Sequence, residues 1–195
     1  MKYFTKFTTI ALLSVLFSTI AYAGPAEEMK STISSITSVL ASNKKPGDKK
    51  KELSKIYYDS FDVRLLSQRT LRNLWKTKLN AKQQDSFADK FGKFILVYYL
   101  SRMENYNNNK IEYNGETMKG KEAAIVHTLV EYNGKMGKVD YLVRNRGGKW
   151  LVYDVEIEGI MLSTTYRQQF AEVLAAQGYD ALSKELDTLI KKYTK

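Results

Sequence analysis

Residues 150–170 read WLVYDVEIEGIMLSTTYRQQF, and the change of period inside this stretch decides the fold. Over residues 150–157 β-branched and aromatic side chains alternate with polar ones, the period of two that marks a half-buried strand. Gly159 interrupts the pattern, and beyond it the apolar spacing is helical, with Ser163 placed to cap the helix. Trp150, Tyr153, Val155, Ile157, Ile160, Leu162, Tyr166 and Phe170 line both limbs, so a bend at Gly159 lays one apolar surface over another. Such a bend is a corner of a core or the mouth of a pocket.

Working back from Trp150, Gly147-Gly148 and Asn133-Gly134 are dipeptides of tight hairpin turns. They separate strands predicted over residues 149–157, 138–145 and 123–132, with a weaker edge strand over 111–118. Connections this short make the sheet antiparallel. Alternate positions such as Val126, Thr128 and Val130, or Val139, Tyr141 and Val143, need a cover on at least one face, and helices stand on both sides in sequence to supply it.

The first of these helices opens at Pro25 and carries Met29, Ile33, Ile36 and Leu40 on one face, and residues 43–47 break it. A second, over residues 48–59, carries Leu53, Ile56 and Tyr57. Asp62 caps the next, with Phe61 before the cap and Leu65, Leu66, Leu71, Leu74 and Trp75 at helical spacing. Asn80 and Gln83 form a capping-box start to the clearest helix, along which Phe87, Phe91, Phe94, Ile95, Tyr98 and Tyr99 recur. That stripe reads first as core packing and alternatively as the wall of an apolar cavity. The chain closes with a helix over residues 163–177, stopped by Gly178, and an amphipathic helix carrying Leu182, Leu186, Leu189 and Ile190. The class is α+β: N-terminal helices, about four antiparallel strands, then C-terminal helices.

Residues 1–23 are set aside from this fold. Lys2 and Lys6 form a basic start, residues 7–20 an apolar core, and Ala21-Tyr22-Ala23 a small-residue cleavage site, together a secretory signal peptide. The apolar run is shorter than the roughly 20 residues of a membrane span. Residues 24–195 are then expected to be exported as a single domain. The sequence has no cysteine, so an exported fold rests on its apolar core without disulfides, and thiolate chemistry is excluded. The formal net charge is +10, two of which leave with Lys2 and Lys6. A basic exported surface meets anionic head groups or acidic partners, or is simply solvated.

Signatures of catalysis are scarce. His127 is the one histidine and falls in a strand, where a structural role is the ordinary one, and no G-x-S-x-G elbow accompanies it. One histidine with scattered carboxylates gives no metal-ligand spacing. Glu156 and Glu158 resemble an acid/base pair but read as solvent-facing or turn-capping. Arg64, Arg69, Arg72, Lys76 and Lys78 cluster around Trp75 without the frame of any nucleic-acid-binding motif, so no nucleic-acid partner is expected.

Three blocks together resemble the MlaC family, the toluene-tolerance auxiliary proteins. They are FDVRLLSQRTLRNLWK (residues 61–76), the segment 80–99 with Gln83, Phe87 and Tyr98-Tyr99, and VYDVEIEGIMLSTTYRQQF (152–170), which is similar to the family's Y-D-V-x-I-E-G-V-S-L-x-x-x-Y-R-x-x-F. Arg72 departs from the pattern, standing where many members have glycine, and Met161 where serine is usual. The resemblance implies a periplasmic, non-enzymatic phospholipid carrier with an NTF2-like cone, no cofactor and no metal. Its cargo would pass between an outer-membrane lipoprotein–porin complex and an inner-membrane ABC transporter fronted by an MCE-domain ring. Other classes that fit the same pattern are an exported binding protein for a sterol or quinone and a small NTF2-like enzyme. The periodicity nominates Phe61, Leu65, Leu71, Trp75, Phe91, Phe94, Tyr98, Val126, Val139, Tyr141, Tyr153, Val155, Ile160, Met161, Tyr166 and Phe170 as walls of the lipid pocket. Arg167 is nominated as a mouth or docking residue, or else as the partner of Asp154 or Glu158.

Overall fold

Proline sets φ for the first turn of each of the two leading helices, α1 (Pro25–Ala41) and α2 (Pro46–Ser60), which fold back on one another. In this computed structural model residues 23–103 and 110–194 are described, so all of the expected signal peptide except Ala23 lies outside them. The Asp62 carboxylate accepts the Leu65 N–H at 2.9 Å and caps α3 (Val63–Leu71). The expected run of helix through Trp75 is interrupted, because Arg72 takes φ +52° and a separate short helix, α4, spans Leu74–Thr77. The capping box holds at α5 (Ala81–Met103): Asn80 accepts from the Gln83 N–H and Gln83 from the Asn80 N–H, both at 3.0 Å.

Five strands follow in a simple antiparallel meander: β1 (Ile111–Met118), β2 (Ala123–Tyr132), β3 (Lys135–Arg146), β4 (Lys149–Ile157) and β5 (Ile160–Met161). The fifth was not anticipated. Glu158 and Gly159, at φ +50° and +81°, make a hairpin turn rather than a direct passage into helix, and the two residues of β5 pair with Glu156 and Ile157. The β2–β3 and β3–β4 hairpins sit at Asn133-Gly134 and Gly147-Gly148, all four residues at positive φ. Val126, Thr128 and Val130 share a sheet face with Val139, Tyr141, Val155 and Ile157, and the helices cover that face. Phe61 forms an isolated parallel bridge to Val152, and with β5 it closes the outer edge of β4.

The last helices are α6 (Leu162–Thr165) and α7 (Arg167–Tyr193), the latter kinked at Gly178, where φ is +78°. Ser163 does not cap the helix as expected; its hydroxyl donates to buried Asp154 instead. Between α3, α5 and α7 the interior is solid. Phe87 stacks on Phe91 at 5.5 Å, Phe170 stands on edge to Phe91 at 5.7 Å, and Tyr166 to Phe94 at 5.1 Å. Lys90 ties α5 to the far half of α7 by donating to Ser183 Oγ at 2.7 Å and Asp187 Oδ2 at 2.6 Å.

Candidate functional site

On the other side of α5 the interior is hollow. A cavity of about 270 Å³ lies between α1 and α2, the C-terminal half of α5, and the sheet. Its wall is built by periodicity: Met29, Ile33 and Ile36 recur along α1, Leu53, Ile56 and Tyr57 along α2, and Ile95, Leu96, Tyr99 and Leu100 along α5. Alternate strand positions Val130, Val139, Tyr141, Val155 and Ile157 form the floor, with Phe61 and Leu162 at the side. Among the described residues, Thr32 and the tyrosine hydroxyls are the only polar side-chain groups in that wall. Ile157 lines the cavity and is also 38% exposed, so the hollow meets solvent there, beside Ile160, which is 62% exposed. A volume above the ~150 Å³ of an apolar cavity that admits benzene, lined this way, accepts hydrocarbon and repels ions.

Burial pushes the Tyr57 and Tyr141 phenols well above the ordinary tyrosine range, so both stay neutral in the wall. The Tyr57 hydroxyl is buried and has no hydrogen-bond partner, which leaves one donor for a guest in an otherwise apolar chamber.

Of the sixteen nominated wall residues, Phe61, Val139, Tyr141 and Val155 line the cavity. Leu71, Trp75, Phe91, Phe94 and Phe170 are fully buried in the solid interior, Tyr98 and Tyr166 edge its aromatic cluster, and Val126 is fully buried on the sheet outside the cavity lining. Leu65 and Tyr153 line a separate groove outside, with Lys119 and Arg144. Ile160 and Met161 form β5 beside the opening. The α1 and α2 residues of the wall were legible only as apolar helix faces without a stated partner.

Arg167 pairs with neither Asp154 nor Glu158; its guanidinium donates to the Arg69 carbonyl at 3.1 Å. Asp154, wholly buried, accepts from Arg69 Nε at 2.9 Å, Ser163 Oγ at 2.6 Å and the Ser163 N–H at 3.1 Å. This network pins α3 and α6 to β4, and through Val155 and Leu162 it fixes one side of the cavity. His127 lies on the opposite sheet face, with Nδ1 3.0 Å from Asp140 and Nε2 2.9 Å from the Thr117 hydroxyl. Among the described residues no group of three or more histidine, aspartate or glutamate side chains gathers as a metal site.

The helices roof the antiparallel sheet of this α+β fold over an apolar chamber with room for a small hydrocarbon. The family described as MlaC protein matches residues 28–188, and the chain belongs to it. The toluene tolerance protein ttg2D of Pseudomonas putida is 26% identical over 178 residues, 87% of this chain and 81% of that protein. The intermembrane phospholipid transport system binding protein MlaC of Haemophilus influenzae is 28% identical over 108 residues, 53% of this chain and 50% of the relative. The fold is shared with a phospholipid-binding protein from Ralstonia solanacearum solved in complex with a phospholipid. That likeness has a TM-score of 0.77 at 22% identity, over 89% of this chain and 100% of the other.

Proposed function

We propose that this protein is a periplasmic phospholipid carrier without enzymatic activity. Residues 1–23 direct export and are removed after Ala23; residues 24–195 act as one lipid-binding domain. Acyl tails enter the chamber between α1, α2, α5 and the sheet, with the head group outward at Ile157 and Ile160. The carrier shuttles phospholipid between an outer-membrane lipoprotein–porin complex and an inner-membrane MCE-domain ABC transporter, and so maintains outer-membrane lipid asymmetry. The observation that carries this reading is the apolar chamber itself, supported by the family and by the phospholipid named for its relatives.

Two acyl chains of about 30 methylenes, at ~0.8 kcal/mol each, cost on the order of 20 kcal/mol to expose to water. A carrier that exchanges one hydrocarbon surrounding for another removes that barrier, and delivery then requires contact with a partner. The chamber lies just under the ~300–1,000 Å³ typical of small-molecule sites, so two full tails enter only as the α1–α2 layer lifts from the sheet.

Native mass spectrometry of protein taken directly from the periplasm tests the proposal: a phospholipid mass is expected on the chain, and a sterol, a quinone or no adduct removes it. Val155→Glu places a carboxylate in the floor and is expected to abolish co-purifying lipid in protein that still folds by circular dichroism. Unchanged lipid content in that variant takes Val155 out of the wall.

A further inference from the structure

Outside the chamber, the C-terminal end of α3 and the start of α6 and α7 enclose a polar groove of about 660 Å³ lined by Gln68, Arg69, Arg72, Asn73, Thr164 and Arg167. Three guanidiniums share this groove with no carboxylate in its lining. Arg69 is engaged by Asp154 and Arg167 reaches the Arg69 carbonyl, yet Arg167 Nε is buried without a hydrogen-bond partner. Arg72 is exposed and, among the described residues, makes no ion pair. One cation suffices to complement the end of a short helix, so two further guanidiniums there only repel each other unless an anion joins them.

Arg72 also occupies a conformation that opposes it. At φ +52° and ψ −126° a side chain is strained where glycine is not, and such strain persists where a residue is retained for something other than folding. Arg69 also lines a second groove of about 490 Å³, which adds Lys119, Lys121 and Arg144 and one carboxylate, Glu122. The result is an elongated, shallow track with a basic excess.

We propose that this track is the docking site for an acidic polypeptide segment of a partner, whose carboxylates engage Arg72 and Arg167. Guanidinium forks recognise carboxylates bidentately. Two neighbouring grooves that share Arg69 exceed the span of a single phosphate. The groove lies next to the cargo chamber in structure: Thr164 lines the groove two residues after Leu162 lines the chamber, and Arg69 holds Asp154 beside Val155. The assignment rests on the carrier reading for its purpose, since a carrier must dock to load and unload.

The test is fluorescence anisotropy of a labelled oligo-glutamate peptide with residues 24–195, the wild type against Arg72→Gly. Wild-type binding is expected to weaken with salt, and Arg72→Gly to weaken it about tenfold, the effect of one charge-assisted hydrogen bond. The same variant is expected to melt at a higher temperature, because glycine relieves the strained backbone. Its lipid content is expected to be unchanged, so failure of docking and failure of lipid carriage are read separately. Lys121→Glu in the adjoining groove is expected to weaken binding further. Four results would overturn the assignment: no peptide binding by the wild type, equal binding by Arg72→Gly, binding to phosphatidylglycerol vesicles in place of the peptide, or displacement of the peptide by an equal concentration of inorganic phosphate.

Discussion

The two sides of α5 are built from different side chains, and they end in opposite states. Toward α3 and α7 the helix presents Phe87, Phe91 and Phe94, whose rings meet Phe170, Tyr166 and Trp75 edge to face and fill the space. Toward α1, α2 and the sheet it presents Ile95, Leu96, Tyr99 and Leu100, which face aliphatic side chains and the separate rings of Tyr57, Phe61 and Tyr141 across an open chamber. Rings clustered on adjoining helices interlock in three dimensions, whereas side chains spread over three separate layers leave a gap wherever the layers stand apart. The solid side anchors the fold so that the hollow side can remain unfilled.

The contrast breaks first under truncation. Phe91→Ala removes a ring that is wholly buried in the solid side and is expected to cost ~3–5 kcal/mol by urea denaturation. Ile33→Ala trims a chamber wall where a void already exists and is expected to cost about 2 kcal/mol, at the low end for such changes, while loosening lipid retention. Equal losses at the two positions would mean that the chamber is packed as tightly as the aromatic side.

Most of the fold could be read from local chemistry. Asp62 and the Asn80–Gln83 pair each specify a helix start within a few residues, and Asn133-Gly134 and Gly147-Gly148 each specify a hairpin. β5 escaped because two residues carry no period, and the interruption at Arg72 because arginine gives no sign of a positive φ. The site was less legible. The aromatic stripe of α5 and the aliphatic faces of α1 and α2 carry the same 3.6-residue signal, and that signal reports burial without saying whether the buried space is filled. Val139, Tyr141 and Val155 border the hollow because the sheet register places them below α1 and α2, and Phe61 because it bridges to Val152 at the end of α2, which are long-range facts. Asp154 could be read as an acidic partner, yet its choice of Arg69 over Arg167 depends on α3 crossing β4.

Enlargement sharpens the comparison where truncation leaves it coarse. Val126 and Val139 share one sheet face on adjacent strands; Val126 is fully buried outside the chamber lining, and Val139 borders the chamber. Val126→Phe is expected to lose ~1–3 kcal/mol through overpacking. Val139→Phe has space to occupy and is expected to leave stability nearly unchanged while reducing co-purifying phospholipid. A matching loss of stability at Val139 would show that the chamber has no room to give.

The smallest effect probes the wall's polarity. Burial raises the Tyr57 and Tyr141 phenols above their unfolded value near pH 10, so above that pH the unfolded chain releases protons that the native wall retains. The unfolded state then binds fewer protons than the native one, and stability present below pH ~10 falls as pH rises, by about 1.4 kcal/mol per pH unit for each retained proton. Tyr57→Phe is expected to remove one such proton and flatten the decline by that amount between pH ~10 and ~11, read by urea denaturation across that range. A spectrophotometric titration of the wild type should show Tyr57 absent from the phenolate signal until the protein unfolds. If Tyr57 ionises with the exposed tyrosines instead, water already reaches its hydroxyl and the chamber is wet, which would leave hydrocarbon tails no reason to enter it.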